Sequence, residues 1–251
     1  MNIEFHYTYI ILAISFVLTG HFSNLIIFTS IIIIHELGHY IIAKITNLTP
    51  VKIIIYPYGG ITKLNHLINV KITRELLVAL SGIIFQTIYY IIIVLLYKNN
   101  YIREYIFSLF TKYHYSILIF NLLPIHPLDG SKIINLIISI FLPYKICSYI
   151  NVILSLITLL ILITINYYQF NYTTILIIMI IINNLTTYYK DINYMFNKFL
   201  LERYLYNIKY KKNKVITKIT NMYKEKNHII KENNQYITEK QFLNAHFKEK
   251  I

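Results

Sequence analysis

The 251-residue chain has no tryptophan, one cysteine, and only 11 acidic residues against 24 Lys and Arg. A lone cysteine, Cys147, cannot build an internal disulfide framework, which excludes the small secreted scaffolds that depend on one. The shortage of acids leaves a formal net charge of +13. That balance can mark a nucleic-acid partner, but 56% of the residues are hydrophobic and mean hydropathy is +0.52. Such a chain is too apolar for a soluble domain of this length, and a nucleic acid is not expected as its partner. With Trp missing, the 25 tyrosines are left to supply the aromatic belts at membrane interfaces. The amino terminus has neither the basic start nor the small-residue cleavage site of a removable signal, so its first apolar segment is expected to be kept.

What is present is a series of apolar runs, at about 7–20, 25–45, 76–97, 116–142 (interrupted), 149–165 and 173–187. A spanning helix needs about 20 apolar residues, with a range near 17–25. The connections sort by charge. Lys44, Lys52, Lys63, Lys71 and Arg74 follow the second run, Lys132 and Lys145 fall between the fourth and fifth, and a basic tail follows the sixth. The connections at 20–24 and 166–172 hold no Lys or Arg. The positive-inside rule then places both termini in the cytoplasm, with Lys98, Arg103 and Lys112 as minor dissenters outside. A basic tail after apolar spans reads as an anchor beside anionic lipid.

Proline and glycine are scarce, with 5 and 6 copies, so their clusters matter. Residues 51–64 read as two β-leaning arms about a Pro57/Gly59-Gly60 turn, a hairpin. Its plain reading is a surface turn. Its functional reading is an edge strand, with Ile54, Ile55, Tyr56, Gly59 and Gly60, that takes an extended peptide by strand addition. The second cluster is Asn121-Leu122-Leu123-Pro124-Ile125-His126-Pro127-Leu128-Asp129-Gly130. Two prolines this close break a helix, and broken backbone at membrane depth persists only where protein buries it or water reaches it.

Inside the second run stands His35-Glu36-Leu37-Gly38-His39. Ionisable groups at bilayer depth are costly and mark function by default. Residues i and i+4 share a helix face, so His35 and His39 can offer imidazole nitrogens to one metal ion, with Glu36 placed to take and return a proton. A hydrolytic zinc site has three protein ligands and one open position. Glu4, Glu75, Glu104 and Asp191 sit in loops or at span ends, which leaves Asp129 as the third ligand. The bland alternatives are chance polar residues in a helix interface for the triplet and a turn role for Asp129 in its Asp-Gly pair. Asn121 can simply cap the break and Pro124 shape it. His21, near the outer end of the first span, reads as a solvated histidine or as a gate or partner contact. His126 is near enough in sequence to support Asp129.

The His35-Glu36-Leu37-Gly38-His39 run and the Asn121-x-x-Pro124-x-x-x-x-Asp129-Gly130 run resemble the two signature motifs of site-2 proteases, zinc peptidases that cut within the membrane. The likeness extends from Leu18-Thr19-Gly20-His21 to Leu200-Leu201-Glu202-Arg203-Tyr204 and is strongest to the sporulation branch. It implies Zn2+ as cofactor, and substrate-backbone or oxyanion roles for Asn121 and Pro124. As substrate it implies the pro-sequence of pro-sigma-K, a membrane-associated protein. It also implies membrane inhibitor proteins and residence in the mother-cell membrane around the forespore. Two departures stand out. The family's Gly-Pro pair in the third span is Gly82-Ile83 here, which weakens any role assigned there. The segment after Glu202 is short for the branch's CBS domain, with 228–230 and 238–247 as strand and helix of a remnant, which argues against nucleotide binding.

The expected architecture is an all-α polytopic membrane protein of about six transmembrane helices with a short membrane-associated β-hairpin. Residues 1–190 form the zinc-peptidase domain and residues 191–251 the small basic cytosolic tail. The expected function is regulated intramembrane proteolysis. A zinc transporter is the rival, although it has no use for Glu36 between its histidines. A non-catalytic scaffold would normally have lost a ligand or the base.

Overall fold

The computed structural model describes residues 2–57, 59–65, 67–165, 172–206, 208, 210–232 and 235–248. The chain divides into two compact units, Met1–His66 with Leu76–Leu122, and Leu67–Glu75 with Leu123–Ile251.

The first unit opens with strand β1 (Asn2–Phe5), then helices α1 (Tyr7–Leu18) and α2 (Phe22–Ile45). The hairpin follows as β2 (Pro50–Tyr56) and β3 (Gly59–Leu64), and the unit closes with most of α3 (Ile72–Lys98) and with α4 (Glu104–Leu122). The run Ile31–Ile34 is β-branched and would suit a strand in water. At membrane depth the helix wins, because it satisfies every backbone group within the segment. Three helices stop in the same way. Gly20, Asn47 and Asn100 take left-handed backbone at φ 73, 59 and 62. The amides after them reach back five residues, His21 to Phe16, Leu48 to Ala43 and Tyr101 to Leu96, in the Schellman pattern.

The hairpin pairs antiparallel from Lys52↔Lys63 to Tyr56↔Gly59, and Gly59 takes φ 150 at its turn. Residue 58, inside that turn, lies outside the described set. One feature departs from the expected edge strand. β1 pairs parallel with β2, Glu4 opposite Ile54 and Phe5 opposite Ile55, giving the order β1-β2-β3. Ile54 and Ile55 therefore lie in the central strand and are buried, and among the described residues the edges of this sheet are β1 and β3, of which β3 is the hairpin's own. The core of the unit is Tyr9, Ile27, Ile31, Ile32, Ile53, Ile55, Phe110 and Ile117, where α1, α2 and α4 meet the sheet.

The second unit contains α5 (Asp129–Phe141), α6 (Tyr144–Ile165), α7 (Tyr172–Tyr206), strands β4 (Asn213–Ile216), β5 (Asn227–Glu232) and β6 (Gln235–Thr238), and α8 (Glu239–Lys248). The fourth apolar run is thus two helices, α4 and α5, parted at 123–128 by Pro124 and Pro127. Cys147 is buried in α6. The tail forms its own sheet, β4 parallel to β5 and β5 antiparallel to β6. Its core joins Ile216, Met222, Ile230 and Leu243 to Phe196, Phe199 and Leu200 of α7. Arg203 is the polar pin of this unit. It is buried, and it donates to Asn69 Oδ1 at 3.0 Å, to Glu239 Oε1 at 2.7 Å and to the carbonyls of Tyr223, Lys224 and Lys226. A buried guanidinium is tolerable only when its donors are met in this manner.

Among the described residues three helices, α2, α3 and α6, are long and apolar enough to cross a membrane. α1 is apolar but has 12 residues. The connection at 166–171 lies outside the described residues.

Candidate metal centre

α2 carries His35, Glu36 and His39 on adjoining faces, all three buried at 3–5% exposure. Their ligating atoms lie within 4.8 Å of one another. The ring orientations follow from what holds the far nitrogens. His39 Nδ1 is 2.7 Å from the backbone oxygen of Val78, which can only accept. Nδ1 therefore carries the proton, and Nε2 does not. His35 Nδ1 is likewise 3.0 Å from Gln86 Oε1. The two Nε2 atoms face each other at 3.1 Å.

Two unprotonated imidazole nitrogens aimed at one point repel unless a cation takes that point. Zinc–nitrogen bonds of about 2.0–2.1 Å in a tetrahedral shell put two nitrogen ligands roughly 3.3 Å apart, so the pair fits a shared zinc ion. The room is kept by glycine. A Cβ on Gly82 of α3 would stand 2.6 Å from His35 Nε2 and would also strike His39 Nε2. Gly38 serves the same packing from the other side, since a Cβ there would meet Ser81 O at 2.6 Å and Phe85 Cβ at 2.9 Å. α2 and α3 can approach this closely only because both residues lack side chains.

Glu36 points to the hairpin. Thr62 of β3 donates its hydroxyl to Glu36 Oε2 at 2.7 Å. Gly60 leaves space for the carboxylate, because a Cβ there would lie 2.6 Å from Glu36 Cδ. The open strand edge and the carboxylate thus share one small region, the arrangement a hydrolase needs for an extended peptide.

The other sequence candidates divide by place. Tyr56 and Gly59 pair across the hairpin turn, and Ile54 and Ile55 are in its central strand. Asn121 is half-buried in the last turn of α4, and Pro124 half-buried in the break that follows. Asp129 belongs to the second unit. It is buried as the first residue of α5, where an acid suits the helix dipole, and it accepts from Lys132 Nζ at 2.9 Å. His126 stacks on Tyr188 at 4.1 Å, and its amide donates to Ser155 Oγ. His21 is exposed at the start of α2 and makes no capping bond there.

Gln86 and Thr62 are residues that sequence reading passes over, and Gly82 is one whose role it discounts for want of the following proline. Gln86 left a trace, as the one amide side chain in an apolar span. Gly82 and Gln86 are i and i+4, the same spacing that singles out the histidines. Thr62 left none, because hydroxyls are ordinary in strands.

Comparison with known proteins bears on this arrangement. The family model for Peptidase family M50 matches residues 23–101, which contain α2 from its second residue, the hairpin and α3. Stage IV sporulation protein FB of Bacillus subtilis (strain 168) is 30% identical over 223 residues, covering 87% of this chain and 75% of that protein. The solved structure of the site-2 protease from Methanocaldococcus jannaschii superposes with a TM-score of 0.58 at 22% identity, over 74% of this chain and 89% of that one. This last likeness speaks for the fold alone.

Proposed function

We propose a function from one premise: the chain belongs to peptidase family M50, the site-2 proteases, a family of membrane metallopeptidases. It acts as an intramembrane zinc metalloendopeptidase. The single observation that carries this reading is the pair of imidazole Nε2 atoms meeting at 3.1 Å with the Glu36 carboxylate beside them.

His35 and His39 would hold the ion, and Asp129, a buried carboxylate heading α5, would be the third ligand. Bound zinc supplies Lewis acidity, which polarises a carbonyl and lets a water lose its proton near neutral pH. Glu36 receives that proton and returns it to the leaving amine. The Thr62 hydroxyl keeps the carboxylate turned to its task. The substrate must be extended, because a helix hides its carbonyl carbons in the backbone ladder, and β3 offers an edge on which it can lie. Asn121 and Pro124 would hold substrate backbone or the developing oxyanion, at the end of α4 and in the break after it.

The substrate we propose is the pro-sequence of a sporulation sigma factor, pro-sigma-K, in keeping with 30% identity to a sporulation protein. The chain would cross the membrane about six times, with both termini in the cytoplasm and the basic tail against anionic lipid. In a spore former that membrane is the one around the forespore, where membrane proteins would restrain the enzyme. The test is direct. The purified chain in proteoliposomes is mixed with pro-sigma-K, and the product's new amino terminus is mapped. Cleavage that disappears with Glu36→Gln supports the reading. Zinc passing through the liposomes with no cleavage would make the chain a transporter instead.

A further inference from the structure

Gln86 is 0% exposed in α3, inside a helix of membrane length. A primary amide in such a place is costly unless each of its polar atoms is met. Here both ends are met, and their partners leave the amide one orientation. Its Nε2 lies 3.0 Å from the backbone oxygen of His114 in α4 and 3.4 Å from His114 Nδ1. A backbone oxygen only accepts, so the nitrogen end faces α4 and Oε1 must face away from it. Oε1 then lies 3.0 Å from His35 Nδ1. An amide oxygen also only accepts, so this contact demands a proton on His35 Nδ1 and leaves Nε2 as the unprotonated nitrogen.

The anchor is itself immobile. His114 is 2% exposed, and its ring stacks on Tyr90 at 4.2 Å with 6° between the planes. The orientation of a metal-binding imidazole on α2 is thus set from α4, two helices away in sequence, through one side chain of α3. His39 has a simpler support, the Val78 carbonyl, which no side-chain substitution removes. Ser81 Oγ lies farther from His39 Nδ1, at 3.5 Å, whereas the short contact to His35 Nδ1 comes from the Gln86 side chain.

We infer that Gln86 is a positioning residue of the metal centre: it locks His35 in the Nδ1–H tautomer and aims Nε2 at the point that His39 also faces. Outer partners of this kind typically govern metal affinity by 10- to 100-fold. The inference rests on the metal reading above, and the experiment separates the two.

Zinc affinity is measured by chelator competition on the purified full chain in detergent, and the visible spectrum is recorded with Co(II) in place of zinc. Wild type, His35→Ala, Gln86→Leu and Gln86→Glu are compared. Leu fills the space without accepting a hydrogen bond, so affinity should fall about 10- to 100-fold with altered cobalt bands. Glu at this fully buried position takes its neutral acid form, whose carbonyl oxygen accepts from Nδ1 and whose hydroxyl donates to the His114 oxygen, so it should stay within about threefold of wild type, with bands close to its own. If Gln86→Leu matches wild type in affinity and spectrum, the inference is overturned. Equal losses in the Leu and Glu variants also overturn it, since the side chain would then only fill space. A wild type that binds neither metal, with His35→Ala no different, overturns the metal reading and this inference together.

Discussion

Thr62 of β3 donates its hydroxyl to the Glu36 carboxylate of α2 across 2.7 Å, and the same hydroxyl lies 3.3 Å from the Glu36 backbone oxygen. The strand proposed to receive substrate and the proposed base are therefore joined by one side chain. A peptide seated on β3 lies against the element that orients the carboxylate.

Substituting either partner should divide chemistry from metal binding. Glu36→Gln keeps the shape and removes the base, so zinc content stays normal and cleavage is abolished. Thr62→Val keeps the base and removes its guide. A hydrogen bond to a charged group contributes about 1.5–3 kcal/mol, so kcat should fall about ten- to a hundredfold with zinc unchanged. Turnover of Glu36→Gln within tenfold of wild type would remove Glu36 from the role of base.

Gly82→Ala should damage the metal centre and not the chemistry alone. Its methyl group would enter the space that the two Nε2 atoms face. Overpacking of this kind costs about 1–3 kcal/mol, which corresponds to a loss of zinc affinity of about 5- to 150-fold. Full zinc occupancy at wild-type affinity would show that the glycine is only a packing residue.

Asp129→Ala should lower zinc occupancy together with activity, because a three-ligand site becomes a two-ligand one. Asp129→Glu is the finer probe, since one added methylene displaces the carboxylate and should weaken zinc binding less than its removal does. Metal analysis of both variants decides the matter. Undiminished zinc in the alanine variant would place the third ligand elsewhere.

Prolines along the two strands should behave differently. β2 is paired on both sides, so Ile54→Pro or Ile55→Pro removes a ladder bond from the middle of the sheet and should impair folding. On β3, alternate amides point into the hairpin and away from it. Of Ile61→Pro and Leu64→Pro, which differ in parity, the one facing outward should impair cleavage while zinc content and insertion stay normal. If neither impairs cleavage, recognition does not use the strand edge.

Acid should loosen the tail. Burial holds His228 below its ordinary value of 6.5, despite the Glu239 carboxylate 3.0 Å from its Nδ1. The amide of Tyr223 donates to His228 Nε2, which agrees with a neutral ring. For Glu239, burial pushes the carboxyl up, but the bond from His228 and the charge of Arg203 outweigh it and hold the group below 4.5. Both groups take up protons more readily in the unfolded tail, so stability falls as pH falls, through His228 below about 6.5 and through Glu239 below about 4.5. Amide exchange in β5 should therefore quicken between pH 7.5 and 5.5, and His228→Asn should flatten that dependence.

The His35, Glu36 and His39 triplet was legible as a candidate metal site because helical periodicity alone puts residues i and i+4 on one face. The hairpin was legible from Pro57 and Gly59, and the break between α4 and α5 from Pro124 and Pro127. These are local signals. β1 was not legible, because Asn2–Phe5 becomes a strand only by pairing with residues some fifty positions later, and nothing within it announces that partner. That omission made β2 look like an edge. The roles of Gly82 and Gln86 were hidden for a related reason. Their meaning lies in which face α3 turns to α2, and a helix apolar on every side gives no moment from which to read that face. The span count met the same difficulty, since 12 residues in α1 and 13 in α5 are each short of a full crossing.

The pairing of β1 with β2 also acts as a ruler. Phe5 and Ile55 are partners, so the chain leaves and regains one level by way of α1 and α2. α1 has 12 residues, an outward travel of about 18 Å at 1.5 Å per residue. The tight turn at Thr19–His21 reverses the direction, and the first 12 residues of α2, 22–33, retrace the distance. Tyr9 hydrogen-bonded to Thr29 marks the matching rungs. The next residues to emerge at the level of the sheet are 34–39, the turn and a half that bears His35, Glu36 and His39. The length of α1 thus sets the height at which Glu36 meets Thr62. Four residues inserted in α1, one more turn, would carry the histidines about 6 Å out of step with the hairpin without altering a single atom of the centre itself.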